Sequence, residues 1–441
     1  MLGLGATLAS YTMALVVVYY VVLFIVAGAR RKRPDATGPI TRPFFVLMVP
    51  MHNEELVVDA TLRGLSQLDY DGSFRILVID DGSRDATPEL LAGWVQREPR
   101  VRVLARRPDE GGRGKGDALN AGYRLVADAL GASDPWLAGA AGSTLVVGVV
   151  DADGRLDSDC LREVAPCFDD PRVGGVQIGV RIINATSSLL ARMQDMEFVA
   201  FSWLVQVARN HLGSVGLGGN GQFTRWTALG SLGRSPWSPR ALTEDLDLGL
   251  RLAERGWRNY FCGTTFVSQQ GLHQWRTYLR QRTRWIQGHY QCWSHLGAIW
   301  RSPNLSLVTK VDLSLYLTMV LTVMLVSSML VVSLLAGYGV ISVHDTFLVG
   351  VVPYADLHVV NFTLAVAPLL IFTLNYQLKA ARPFPWYAYP AGALAFALYA
   401  YVGAVATLRA WWRLAIRRGG WVKTPRVNDT PSTSRRPATT Q

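Results

Sequence analysis

Hydrophobic and polar positions divide this chain into three regimes. Residues 1–29 contain no charged side chain, and a bilayer crossing takes roughly 20 apolar residues. From Thr41 to about Ser302, short apolar runs alternate with stretches whose apolar positions recur at helical spacing. That alternation predicts βαβ units and a mostly parallel sheet. Long apolar runs return at Val311–Gly337, Val359–Tyr376 and Ala388–Leu408, each long enough to span.

Within the middle regime the pattern predicts strands at Phe44–Pro50, Phe74–Asp80 and Val101–Leu104, with helices over Glu54–Leu68, Pro88–Arg97 and Asp117–Leu130. Gly131–Ser143, rich in Gly and Ala, reads as an exposed loop. The apolar run from Leu145 then stops at Asp151-Ala152-Asp153-Gly154. An uninterrupted apolar strand suits the centre of a parallel sheet covered on both faces. Further on, Val173–Val180 reads as a strand and Leu189–His211 as one long helix. The five glycines between Gly213 and Gly221 mark a loop where backbone approaches something closely. A helix starts at Thr243 with Glu244 and Asp245 in its first turn and ends at Gly256; another, basic and aromatic, runs from Trp275 to about Trp300.

Composition favours a membrane partner. Half of the 441 residues are hydrophobic and the formal net charge is +11. A basic chain suits either nucleic acid or an anionic lipid surface, and the long apolar runs select the lipid. Four cysteines, without C-x-x-C pairing, give neither a zinc site nor a disulfide framework, so the folded unit is expected in a reducing compartment. Ala27-Gly28-Ala29 resembles a signal-peptide cleavage site, but the basic cluster Arg30–Arg33 follows the apolar stretch instead of preceding it. An anchored first span with Arg30–Arg33 in the cytoplasm is the preferred reading. One leading and three trailing spans would put the C-terminus outside, whereas Arg409, Arg413, Arg417, Arg418 and Lys423 ask for it inside. A re-entrant segment, or an extra crossing at Phe347–Tyr354, would reconcile the two.

Candidate chemistry gathers at strand ends, where ligands of open α/β sheets sit. Pro50, Asn53 and Glu54 leave the first strand, Asp81 leaves the second, and Asp151 and Asp153 leave the central one. Converging carboxylates repel unless a cation or hydrogen-bond donors join them. A divalent metal with a nucleotide would supply both. The plainer alternative is that Asp81 and Asp85 cap a helix. Lys115, in a glycine-rich bend before a helix, is placed for a diphosphate or is simply exposed. Glu244 and Asp245 suit the positive end of a helix dipole, and Asp245 also suits a general base. Gln281, Arg284 and Trp285, spaced i, i+3, i+4, share one helix face. They would bind phosphate and a sugar plane; the alternative is a membrane-surface helix, with Arg276, Arg280 and Arg282 reaching headgroups.

Taken together and in order, VPMHNEE, VIDDGSRDAT, GKGDALNAG, D-A-D at 151–153, T-E-D at 243–245 and Q-R-T-R-W at 281–285 resemble family 2 membrane glycosyltransferases. These include the cellulose, chitin, poly-N-acetylglucosamine and hyaluronan synthases. The resemblance covers residues 41–300. It implies a GT-A domain over 41–270 facing the cytoplasm of a multi-pass cell-membrane protein. Around it would lie a span at 1–29, interface helices at 271–305 with Q-x-x-R-W, about three spans over 311–408, and a basic, partly disordered tail at 409–441. It further implies that Asp81 contacts uracil or ribose and that Lys115 and Asp151 meet the diphosphate. Asp153, with Asp151, would hold Mg2+ or Mn2+, and Asp245 would be the base. Glu244, Gln281, Arg284 and Trp285 would serve the diphosphate and the acceptor. The expected reaction is inverting transfer from a UDP-sugar to a growing β-linked polysaccharide, with export partners possible. The alternative is transfer of one sugar to a lipid or polyprenyl-phosphate acceptor.

Overall fold

The structure, a computed structural model, describes residues 2–29, 42–337, 366 and 369–416. Arg30–Arg33, Phe347–Tyr354, most of the early part of the expected 359–376 span and the tail beyond residue 416 lie outside the described residues. After α1 (Leu2–Gly28), the chain runs β1 (Phe44–Met51), α2 (Val58–Ser66), β2 (Phe74–Asp80), α3 (Thr87–Arg97), β3 (Val101–Ala105), α4 (Lys115–Gly131) and β4 (Leu145–Val149). Then follow β5 (Arg155–Leu156), α5 (Cys160–Val164), β6 (Val173–Ile182), α6 (Leu189–Ala200), α7 (Val207–Leu212), β7 (Gln222–Arg225), α8 (Trp226–Gly230), α9 (Glu244–Glu254) and β8 (Arg258–Gln269). α10 (Trp275–Gln291), α11 (Leu296–Arg301), α12 (Leu307–Gly337), α13 (369–379) and α14 (Tyr389–Ala415) complete it.

One eight-stranded sheet orders these strands β3-β2-β1-β4-β7-β6-β8-β5. β1, β2, β3 and β4 pair in parallel, as do β6 and β8. β7 enters antiparallel between β4 and β6, and β5 is antiparallel to β8. β1 shows why its sequence is apolar throughout. Side chains alternate across a strand, so Phe45, Leu47, Val49 and Met51 pack with α2, α3 and α5. Phe44, Val46 and Met48 pack on the other face with α4. Between β1 and β7, Gly148 of β4 leaves room for large neighbours: a Cβ there would lie 2.7 Å from Leu47 and 2.8 Å from the ring of Phe223.

The sequence expectations hold for the parallel half and need correction elsewhere. α2 is shorter than Glu54–Leu68, because residues 50–57 wrap around the loop after β2 and Glu54 N–H donates to Thr87 Oγ1 at 2.8 Å. The 131–143 stretch is not wholly exposed, since Trp136 and Leu137 are buried. The 189–211 helix contains a π-helical turn at Phe201–Gln206, and the helix from Trp275 ends at Gln291 before a 3-10 turn at Cys292–His295. All four cysteines are free.

The helices outside the sheet pack beside its C-terminal half. Leu23 of α1 meets Leu204, Val205 and Ala208; α6, α10, α13 and α14 share Met196, Tyr278, Tyr376 and Tyr399; α9, α11 and α12 share Leu250, Ile299 and Leu317. A buried ion pair, Arg209 to Asp312 at 2.9 Å, joins α7 to α12, and Tyr19 of α1 donates to Asp312 at 2.8 Å. Among the described residues Trp386–Ala415 is long and apolar enough to cross a membrane, and Ala14–Gly28 is a shorter apolar helix. Because Gly148 sits where β1 and β7 side chains close over it, Gly148→Val should destabilise the protein by about 1–3 kcal/mol through overpacking. Thermal unfolding in detergent reads this as a lowered midpoint; an unchanged midpoint contradicts the packing.

Candidate active site

The carboxyl ends of β1, β2 and β4 open on one cavity of about 650 Å³. Pro50, Glu54, Asp81, Lys115, Asp151, Asp153, Glu244, Asp245, Gln281, Arg284 and Trp285 all line it. Topology accounts for this gathering: parallel neighbours expose their C-terminal loops on the same edge, and α9 and α10 are folded back over that edge. Asn53 is the exception. Its backbone is left-handed at φ 53°, its N–H donates to Ser83 Oγ at 2.9 Å and its Oδ1 accepts from Arg84 N–H at 2.7 Å. It braces the loop beside His52, which lines the cavity.

Each acidic group is held by a specific partner. Asp81 accepts from Arg106 and from Gly112 N–H at 2.9 Å, and Arg106 continues to Asp117 at 2.5 Å. Lys115 donates to Asp151 and to the carbonyl of Gly219, with Glu244 3.8 Å away. Burial works against the Lys115 charge, yet the carboxylates of Asp151 and Glu244 outweigh it and raise its pKa. Asp153, buried, accepts from Gln270 N–H at 3.2 Å. The glycine loop passes through this cluster: a Cβ on Gly219 would lie 3.1 Å from both Asp245 Oδ2 and Lys115 Nζ. That is the close approach its composition required.

Glu244 and Asp245 begin α9 side by side in this buried setting. Burial, then the Asp245 charge, push Glu244 up to about 7, with Lys115 pulling the other way. Burial also raises Asp245, again against Lys115. Asp245 Oδ1 accepts from Leu246 N–H at 2.8 Å. A carboxylate whose pKa is raised toward neutrality is a better proton acceptor than a surface one, which is what a general base needs.

α10 forms the adjoining wall. Gln281, Arg284 and Trp285 share the cavity face as their spacing predicts, and Arg284 donates to the Leu242 carbonyl at 3.3 Å. Arg282 does not reach lipid headgroups. It is buried, donates to Glu197 at 2.7 Å and to Tyr399 Oη at 3.2 Å, and lies 4.3 Å from the Trp285 ring centre. Beyond Trp285 the wall becomes apolar, built from Val16 of α1, Leu369 and Phe372 of α13, and Phe396 and Ala400 of α14.

Asp151 and Asp153 offer carboxylate oxygens, the donor type that Mg2+ and Mn2+ take. Among the described residues no group of three His, Cys, Asp or Glu is placed to hold an ion unaided. The pair therefore fits a cation that completes its shell with substrate phosphates and water, as Mg2+ usually does. Two residues that brace the site are absent from the sequence reading. Arg106 bridges two acids, and Asn220 accepts from Asp151 N–H at 3.1 Å while donating to Gln269 at 2.9 Å. The glycines flanking Asn220 were the one available signal.

A family model described as glycosyltransferase like family 2 matches residues 42–288. Among curated relatives, a beta-monoglucosyldiacylglycerol synthase of Trichormus variabilis is 33% identical over 269 residues, which is 60% of this chain and 53% of that protein. Glucomannan 4-beta-mannosyltransferase 7 of Arabidopsis thaliana is 25% identical over 279 residues, 62% of this chain and 48% of that protein. The chain thus spans about half the length of these relatives. Among solved structures, a mannosyltransferase from Pyrobaculum calidifontis in complex with GDP-Man and Mn2+ superposes with a TM-score of 0.59 at 19% identity, over 95% of this chain and 99% of that one. That likeness shows the fold, a GT-A-like α/β unit with a mostly parallel sheet.

The helix that carries Asp245 is clamped from behind. His295 meets Glu254 at 2.8 Å through Nδ1 and Asp247 at 3.1 Å through Nε2, and Arg251 donates to Asp247 at 2.9 Å. Hydrogen bonds to Asp247 and Glu254 push His295 from 6.5 up to about 9, against burial. A raised histidine stabilises fully below its unfolded value and loses that contribution as pH climbs through the folded one. Thermal stability should therefore fall between pH 6.5 and about 9, and His295→Asn should flatten the fall. A variant with the same pH dependence as the native chain contradicts the clamp.

Proposed function

The chain belongs to glycosyltransferase family 2, and from that premise we propose a membrane-bound inverting glycosyltransferase that moves a sugar from a nucleotide-sugar, expected to be a UDP-sugar, to a hydroxyl borne by a lipid. The observation that carries this reading is the continuity of the cavity. Its polar end holds the acid cluster and Lys115, and its far end is walled by apolar side chains of α1, α13 and α14. α1, α12 and α14 act as spans and hold the sheet domain on the cytoplasmic face. A lipid can then bring its head to Asp245 without leaving the apolar phase. The 33% identity to a beta-monoglucosyldiacylglycerol synthase of Trichormus variabilis supports the same acceptor class.

Chemically the arrangement serves a single displacement. Asp81, Pro50 and Glu54 border the base and ribose of the donor, and Lys115 and Arg284 lie at its diphosphate. Asp245 takes the proton of the acceptor hydroxyl, whose oxygen attacks the anomeric carbon as the nucleoside diphosphate departs, inverting the configuration there. Asp151 and Asp153 would hold a divalent ion, which would supply positive charge to the departing diphosphate. Burial and the Asp245 charge push Glu244 up to about 7, the direction that eases repulsion between the two carboxylates. Gln281, Arg284 and Trp285 on the same wall favour a second reading, stepwise elongation of a polysaccharide, because an indole face holds a sugar ring.

Product analysis separates the two. The purified full chain in lipid nanodiscs would be given radiolabelled UDP-sugars or GDP-mannose, with divalent cation. The proposal expects label in the organic phase as a single-sugar lipid, and Asp245→Asn should lower its formation by roughly 10²-fold or more while nucleotide binding persists. Label confined to long water-soluble polymer overturns the lipid reading; an undiminished rate in Asp245→Asn overturns the role of that residue.

A further inference from the structure

Midway along the cavity stands a charged side chain that the displacement does not use. Glu197, on α6, lines the cavity with its side chain 33% exposed. Both of its hydrogen bonds, from Arg282 at 2.7 Å and from Tyr399 Oη, go to Oε2. Oε1 has no protein partner among the described residues. Glu197 therefore keeps one carboxylate oxygen without a protein partner in the wall of the cavity.

Charge sets what can sit there. Seven carboxylates line the cavity among the described residues, against three fixed cations, Lys115, Arg282 and Arg284. Lys115 is engaged by Asp151 and Glu244, and Arg282 by Glu197. Arg282 cannot swing free, since it is buried and packed 4.3 Å from Trp285 and 4.8 Å from Tyr278. Arg284 lies at the Leu242 end, near Glu244. No cation among the described residues is left over for a phosphate at Glu197. A phosphate there would face a carboxylate across a poorly screened gap, whereas a hydroxyl would supply the donor that Oε1 lacks.

We propose that Glu197 is a specificity-determining residue: its Oε1 accepts a hydrogen bond from a hydroxyl of the acceptor head, so that uncharged hydroxylated lipids are taken and lipid phosphates are refused. This rests on the lipid-acceptor reading above and narrows it to one acceptor class.

The test uses the full chain in nanodiscs, with dioleoylglycerol and a polyprenyl phosphate as alternative acceptors. The native protein should use dioleoylglycerol with a kcat/KM at least about tenfold higher, the worth of one charged hydrogen bond. Glu197→Gln should raise the KM for dioleoylglycerol by about tenfold and narrow the preference, with a much smaller change in the KM for the nucleotide-sugar. Glu197→Asp, which keeps the charge that pairs with Arg282 but draws the carboxylate back by one methylene, should raise the acceptor KM by about threefold or more. It carries the test alone if Glu197→Gln does not fold. Equal use of the polyprenyl phosphate, or acceptor KM values unmoved by substitution, overturns the inference and leaves lipid transfer standing. Label in neither lipid but in soluble oligosaccharide overturns both.

Discussion

The site depends on one buried ammonium. Lys115 sits where Asp151, Glu244 and the carbonyl of Gly219 meet, and these come from β4, α9 and the glycine loop. Carboxylates taken from water at this density would repel one another and draw protons. With Lys115 among them the cluster is compensated at its centre while Asp153 and Asp245 keep oxygens toward the cavity. A single side chain thus ties the sheet edge to the helix that carries the proposed base. Removing it would leave several buried charges unpaired at once, a far larger effect than losing a surface ion pair.

A second constraint is the meeting of two solvents. The parallel half of the sheet is covered on both faces and supplies a rigid edge for polar loops. The antiparallel insertion of β7 and the long β8 then carry the chain toward α6, α10 and the apolar helices. The cavity follows that path, from carboxylates to aromatic and aliphatic walls. Arg282 and Glu197 stand at the seam, where their ion pair, joined by Tyr399, fixes α6, α10 and α14 together. Donor chemistry at one end and an apolar approach at the other are then properties of one continuous surface.

Much of this was legible in the residues because it follows from local periodicity. Continuous apolar runs gave β1, β2 and β4, and the acids at their ends had to share an edge once those strands were parallel. The i, i+3, i+4 spacing gave the cavity face of α10. What escaped depends on contacts far apart in sequence. β7 has four residues, too few for a period of two to declare itself, and with it went the placement of Asn220. Arg106 looks like any arginine after a short strand until topology sets Asp81 beside it. Nor does the motif reveal how Asn53 is held: a left-handed backbone sets its N–H and Oδ1 against the Ser83 loop. Helix periodicity alone offers Arg282 to lipid headgroups, because it cannot say that α14 covers that face.

The most direct measurement of the central claim, that the lipid reaches the acid cluster through the apolar end of the cavity, is photocrosslinking. The full chain would be labelled in nanodiscs with a diazirine-bearing diacylglycerol in the presence of nucleotide-sugar, and the adducts mapped by mass spectrometry. The account predicts adducts at Phe372, Phe396 and Ala400, which line the cavity. Adducts confined to Leu394 and Leu398, exposed on the outer face of α14 at 64% and 62%, would contradict it.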